Sequence, residues 1–360
     1  MIKHYYALIM AGGGGTRLWP MSRRNRPKQL LPLVDDRTMF RTSVERLSPL
    51  FSPEHIYIVT GANYVEALQA DVPEIPAENF IVEPYGKNTG PAAGLGVSVI
   101  YKRDPEATVA ILTADHHIAK ERDFRNLLQS AYQLAQDNYI VTLGITPTSP
   151  STGFGYIRQG DQIKKIDYYT GFESLEFTEK PDAATAVEFL ASGQYSWNSG
   201  MFIWTAKHAL AEFERQQGQV HELCQQLIQA VDTSDYDQTL ETIWKKMPSI
   251  SIDFAIMEGA QQMAVIPADI GWSDVGSWEA LFDVHQLDES GNYFKGQSAR
   301  VILDTKNTMV YSNRLVATIG IEDIIVIEAD DALLICHKER SQDVKNIVNH
   351  LRSTNNEDYL

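Results

Sequence analysis

Cysteine is nearly absent from this chain: Cys224 and Cys336 are the only two in 360 residues. Two thiols cannot build a disulfide framework, so a reducing compartment, the cytoplasm, is the expected location. Long apolar runs are lacking too, and none approaches the ~18 residues that a membrane span needs. The stretch from Tyr5 to Ala11 is short and runs into four glycines without a cleavage site, which argues against a secretory signal. Acidic residues are missing from the first 34 positions, where Lys3, Arg17, Arg23, Arg24, Arg26 and Lys28 fall. That opening carries +6 and the remainder −22, for a net charge of −16. The overall balance argues against broad binding to nucleic-acid phosphates. A basic opening on an acidic body suits a focused anion site, although a solvated basic loop would carry the same charges.

What is present is ordinary globular material. A hydrophobic share of 44% with 22% charged residues excludes a disordered chain, and the length suits two to three domains. Up to about residue 150, apolar runs of strand length alternate with helical patterns. His4–Ala11, Ile56–Thr60, Phe80–Glu83, Thr108–Ala114 and Tyr139–Ile145 read as strands; Met39–Leu50, Pro91–Arg103 and Phe124–Gln136 read as helices. Such alternation predicts an α/β fold with a Rossmann-like, mostly parallel sheet and flanking helices. The middle mixes strands such as Gly200–Thr205 with helices such as Ala183–Ala191 and Ser277–Val284, among more irregular segments. Beyond Gly291–Gly296 come short β-branched runs separated by turns, then a helix carrying Val344, Ile347, Val348 and Leu351 on one face. This pattern predicts a small β-rich, β-helix-like module ending in a helix, without a strict hexapeptide repeat. The expected division is a catalytic domain over 1–290 and the module over 291–360, with the polar tail Ser353–Leu360 fraying.

Residues 11–29, AGGGGTRLWPMSRRNRPKQ, hold the chemistry. Gly12, Gly13, Gly14 and Gly15 let backbone amides approach a ligand and form an anion-binding concavity, to which Arg17 and Lys28 add charged donors. No GxxxxGK[ST] is present, and Arg17 stands where the last glycine of a dinucleotide fingerprint belongs. Asp115 lies at the carboxyl end of an expected central strand, where open α/β sheets bind ligands. Asp274 sits in a glycine-flanked turn. Either aspartate could equally be a turn or cap residue. Trp197 and Trp204 suit a core better than a stacking platform, and Ser251 and Asp253 read as the start of a helix.

Arg17 with Trp19-Pro20, Ser22-Arg23 and Pro27-Lys28-Gln29 resembles the signature of the sugar-1-phosphate nucleotidyltransferases. The resemblance continues through Glu83-Pro84, Asn88-Thr89-Gly90-Pro91, Ala114-Asp115-His116, Thr152-Gly153-Phe154-Gly155-Tyr156, Glu179-Lys180-Pro181, Trp197-Asn198-Ser199-Gly200, Ser251-Ile252-Asp253 and Gly271-Trp272-Ser273-Asp274. The Leu18-Trp19-Pro20 form of the signature implies transfer of a guanylyl group from GTP to mannose 1-phosphate, yielding GDP-mannose and pyrophosphate. It further implies nucleotide binding by Gly12–Gly15, Thr16, Arg17, Lys28, Asn88, Thr89, Gly90 and Asp115. Sugar-phosphate binding falls to Gly153, Glu179, Lys180 and Asn198, and magnesium (Mg2+) to Asp115 and Asp274; Arg17, Lys28, Asp115, Lys180 and Asp274 are the expected catalytic set. Some relatives continue into a second, isomerase domain, for which this chain leaves no room, so transferase activity without isomerase activity is expected. A homo-oligomer, a dimer, is expected through the β-rich tail, whose strands present open edges. Another nucleotide and sugar-phosphate pair, or a non-catalytic sugar-nucleotide sensor, would account for the same motifs.

Overall fold

Apolar runs without alternation suit strands covered on both faces, and the five expected strands of the first 150 residues all form as such. The computed structural model describes residues 2–360. A nine-stranded sheet runs in the order Phe80–Glu83, Ile56–Gly61, Tyr5–Ala11, Thr108–Thr113, Tyr195–Thr205, Ile140–Ile145, Met263–Ala268, Tyr169–Thr178, Tyr156–Ile166. Its first four strands are parallel, as are Ile140–Ile145 and Met263–Ala268. Tyr195–Thr205 enters antiparallel between these two sets. An antiparallel hairpin, turning at Asp167 in the left-handed region, completes the other edge.

The helix Thr89–Arg103 is buried from Gly90 to Ile100. Glu121–Gln136 is two-faced instead, burying Phe124, Leu127, Leu128, Ala131 and Leu134, with Glu121 and Asp123 placed favourably in its first turn. Three helices, Ala206–Gln216, Gly218–Ala230 and Tyr236–Trp244, occupy stretches that the sequence pattern left irregular. Their buried side chains join Leu8, Val97, Phe202 and Trp204 in one core. Met39–Leu50 is helical only to Glu45, after which three-residue turns take over before Pro49, which has no N–H to donate.

The chain divides into two units. One holds the nine-stranded sheet and comprises residues up to Gly12, Val44–Ala114 and Ile118–Trp272. The other comprises Gly13–Ser43, Asp115–His117 and Ser273–Leu360. In this second unit the β-rich module is a short parallel solenoid. Tyr293, Met309 and Ile325 stack in register, as do Arg300 and Val316, each partner 16 residues further on. The corners repeat at the same period: Gly291, Asn307 and Asp323 all adopt positive φ, which only glycine, asparagine and aspartate tolerate readily. An antiparallel strand, Ala332–His337, ends the stack, and the helix Val344–Ser353 follows.

Two expectations fail in this unit. Ser277–Val284 is not a helix but a single three-residue turn at Glu279–Leu281, because its bonds close at i+3 around the buried Trp278, whose indole donates to the Trp19 carbonyl at 3.0 Å. The tail does not fray. Trp19 donates its indole N–H to the Tyr359 carbonyl at 2.8 Å, Arg24 pairs with Glu357 at 2.8 Å, and Leu360 packs on the unit's core.

Candidate active site

The second unit gathers the basic signature. The strand Tyr5–Ala11 ends and the chain enters the glycine run, where Gly13 and Gly15 hold positive φ. Gly15 is constrained twice: a Cβ there would lie 2.5 Å from Lys28 Cβ and 3.2 Å from Ser22 Oγ. Thr16–Leu18 forms a tight turn directly after it. Arg17 is exposed and makes no ion pair among the described residues. Lys28 is buried, with 7% of its side chain accessible, and its ammonium donates to Asp115 Oδ2 at 2.8 Å and to the Asp274 carbonyl at 2.5 Å. One lysine thus ties together the two aspartates named from the sequence.

Burial opposes ionisation of Asp115, but Lys28 and His116 beside it outweigh that and hold the carboxyl below the usual carboxylate range. Asp274 turns its Oδ1 to the Gly276 N–H at 3.1 Å, and a Cβ at Gly276 would lie 2.5 Å from Asp274 Oδ2. Among the described residues no group of three or more His, Cys, Asp or Glu side chains could enclose a metal. Two carboxylates are nonetheless the donor set that fits a hard divalent cation when phosphate oxygens and water complete its shell. Segments of the solenoid brace this loop: Lys295 donates to the Pro32 carbonyl at 2.7 Å, and Tyr311 to that of Leu33 at 3.1 Å.

The first unit gathers the other residues. Lys180, at positive φ, pairs with Glu179, whose side chain is buried while that of Lys180 is 60% exposed. Asn198 is buried and fully oriented: its Oδ1 accepts from Gly200 N at 2.9 Å and its Nδ2 donates to Asp253 Oδ1 at 3.0 Å. Gly155, not Gly153, is the crowded glycine here, since a Cβ would meet Glu179 Oε2 at 2.5 Å and Asn198 Cβ at 3.3 Å. The Gly153 N–H donates instead to Ser151 Oγ at 3.2 Å. Trp204 is wholly buried in the core, and Trp197 packs against Phe154 with ring centroids 4.9 Å apart.

Asn88, Thr89 and Gly90 precede the buried helix as expected, but two of their amides are already used. Asn88 Oδ1 accepts from Thr89 N at 2.8 Å, and Gly90 N donates to the Ile250 carbonyl at 3.0 Å. Thr89 Oγ1 accepts from Ile252 N at 2.9 Å, so this turn is bolted to the segment Ile250–Asp253. Ser251 does cap the short helix that follows it, accepting from Phe254 N. Asp253, by contrast, reaches beyond its own helix to Asn198, a contact the sequence did not disclose. Glu83, from the Glu83-Pro84 motif, is a second group whose setting the sequence did not disclose: buried at a strand end, its Oε1 lacks a hydrogen-bond partner, and burial pushes the carboxyl up to about 7.

Comparison with known proteins covers the same ground. A nucleotidyl transferase family model matches residues 6–291, and a model of the MannoseP isomerase/GMP-like beta-helix domain matches residues 298–351. A mannose-1-phosphate guanylyltransferase of Klebsiella pneumoniae is 37% identical over 355 residues, covering 98% of this chain and 75% of that protein. The alginate biosynthesis protein AlgA of Pseudomonas aeruginosa is 38% identical over 357 residues, covering 96% of this chain and 71% of its own. The chain therefore spans about three quarters of the length of these relatives. A crystal structure from Thermus thermophilus, described as a mannose-1-phosphate geranyltransferase, superposes with a TM-score of 0.86 at 34% identity, covering 97% of this chain and 100% of that one. With its first 291 residues matched almost throughout and its solenoid matched separately, the chain belongs to the nucleotidyl transferase family.

Proposed function

We infer that this chain transfers a guanylyl group from GTP to mannose 1-phosphate, giving GDP-mannose and pyrophosphate. The observation that carries the reading is the buried Lys28 cluster, set in a chain that matches a mannose-1-phosphate guanylyltransferase over 98% of its length. The second pKa of a sugar phosphate lies near ~6, so the attacking oxygen is largely anionic at neutral pH and needs no general base. That oxygen bonds to the GTP α-phosphorus as the bond from that phosphorus to the bridging oxygen breaks, and pyrophosphate departs with the electron pair. The task for the protein is to neutralise and align two polyanions.

In this reading residues 1–290 act as the catalytic domain and 291–360 as the solenoid that braces it. Gly12–Gly15, Thr16, Arg17 and Lys28 take the triphosphate. Asn88 contributes to nucleotide binding through its side-chain NH2, with Thr89 and Gly90 shaping the turn. Glu179 accepts from sugar hydroxyls, Asn198 bonds a further hydroxyl, Gly153 leaves its side of the sugar open, and Lys180 holds the sugar's phosphate. Asp115 and Asp274 would hold a divalent cation, for which we propose Mg2+, and the cation would supply positive charge to the phosphates.

Lys180→Ala tests the division of labour. A charge-assisted hydrogen bond contributes ~1.5–3 kcal/mol, so KM for mannose 1-phosphate should rise roughly ten- to a hundredfold. Calorimetry should show GTP binding unchanged; loss of GTP affinity instead would place Lys180 on the nucleotide.

We also propose a cytoplasmic homodimer. Both cysteines are free thiols, which suits a reducing compartment, and no helix is long and apolar enough to cross a membrane among the described residues. The solenoid strands Arg300–Leu303 and Val316–Ile319 expose Val301, Leu303 and Ile319, an apolar face suited to a second copy. Light scattering should give twice the chain mass, and a monomer mass for the intact protein would refute this.

A further inference from the structure

Asp253 belongs to a segment fixed at several points. The Ile250 carbonyl is bonded to Gly90 N, Ile252 N is bonded to Thr89 Oγ1, and Ser251 caps the turn. Held this way, the Asp253 carboxylate receives the Asn198 amide at 3.0 Å, while the other end of that amide is pinned by Gly200 N at 2.9 Å. An asparagine amide can flip and present donors where acceptors are needed. Two fixed partners of opposite type leave Asn198 one orientation, with one N–H and one lone pair still open.

We propose that Asp253 is a positioning residue of the sugar cluster: by receiving Nδ2 of Asn198 it sets which edge of that amide meets the sugar hydroxyls, and so the choice of sugar. This rests on the assignment of Glu179, Lys180 and Asn198 to mannose 1-phosphate. The charged groups that bear on Asp253 are Glu179 and Lys180. Burial, reinforced by Glu179, lifts its carboxyl to about 6, against an ordinary value of 3.8, and Lys180 and the Asn198 bond pull the other way. A carboxylic acid accepts more weakly than a carboxylate, so the hold on Asn198 strengthens as pH rises through that value.

The experiment compares the wild type with Asp253→Ala and Asp253→Asn, using GTP with mannose 1-phosphate or glucose 1-phosphate. Asp253→Ala should raise KM for mannose 1-phosphate about tenfold, leave KM for GTP within about twofold, and narrow the preference for mannose 1-phosphate by a similar factor. Asp253→Asn keeps an acceptor oxygen for Nδ2 and should recover most of the loss. The ratio of its KM to that of the wild type should climb between pH 5 and 7.5; the ionisation of the sugar phosphate is common to both and cancels. If Asp253→Ala does not fold, the pH dependence of this ratio decides alone. Unchanged sugar preference, equal rises in both KM values, or a flat ratio would overturn the proposal. A wild type that turns over neither sugar phosphate with GTP would instead overturn the assignment beneath it.

Discussion

Replacing Lys28 by methionine is expected to lower kcat/KM about a thousandfold, the upper end of the ~10²–10³ lost when one preorganised donor is removed from developing negative charge. The buried lysine stem packs where methionine can follow it, so the loop around Gly15 should keep its shape. What disappears is the single ammonium shared by Asp115 and the Asp274 carbonyl. The substitution also leaves Asp115 beside an apolar side chain, and a lower melting temperature is expected. The double variant Lys28→Met with Asp115→Asn removes the stranded charge and should recover stability, measured by calorimetry, without recovering turnover. Recovery of both would mean that Lys28 serves the fold alone.

The second large effect is expected at Asp274. Its backbone carbonyl, not its side chain, receives Lys28, and asparagine can still accept from Gly276 N. Asp274→Asn should therefore leave the melting temperature within a degree or two while removing one of two carboxylates proposed for the divalent cation. Electrostatic stabilisation by a bound metal contributes several kcal/mol, and ~1.4 kcal/mol corresponds to tenfold in rate. A turnover loss on the order of a hundredfold is expected, with the magnesium concentration for half-maximal rate shifted upward. Near-normal turnover at saturating magnesium would remove Asp274 from the metal site.

The pattern of what the sequence reveals follows from the range of the interactions involved. The strands Tyr5–Ala11 and Thr108–Thr113 were visible because both faces are buried and their apolar runs are continuous. Lys28, Asp115 and Asp274 were recognisable as chemically apt, yet that one ammonium joins all three depends on contacts spanning 87 and 246 positions. Asp253 was legible as part of the Ser251-Ile252-Asp253 motif and as the start of a helix, but not as a partner of Asn198. The Ser-Ile-Asp pattern reports local capping, whereas the bond to Asn198, 55 positions away, leaves no trace in spacing. Likewise nothing local marks Glu83 as a carboxyl deprived of a partner.

The solenoid teaches the converse. Its repeat is 16 residues, too long for a hexapeptide search, and its strands are only three to six residues long. The regular signal lies at the corners, in Gly291, Asn307 and Asp323, where backbone conformation restricts residue type. Side-chain size along the strands is far less restrictive. The tail gave the opposite error: polar composition suggested fraying, but Trp19 and Arg24 bind it through groups more than 300 positions away.

The most direct test is pyrophosphate release measured with four nucleoside triphosphates, each offered with several hexose 1-phosphates, in the presence and absence of magnesium. Charge neutralisation around Lys28, Asp115 and Asp274 predicts fast release from GTP with mannose 1-phosphate, dependent on the metal and nearly abolished by Lys28→Met. Release from no pair, or a rate from GTP and mannose 1-phosphate that survives loss of the lysine intact, would contradict it.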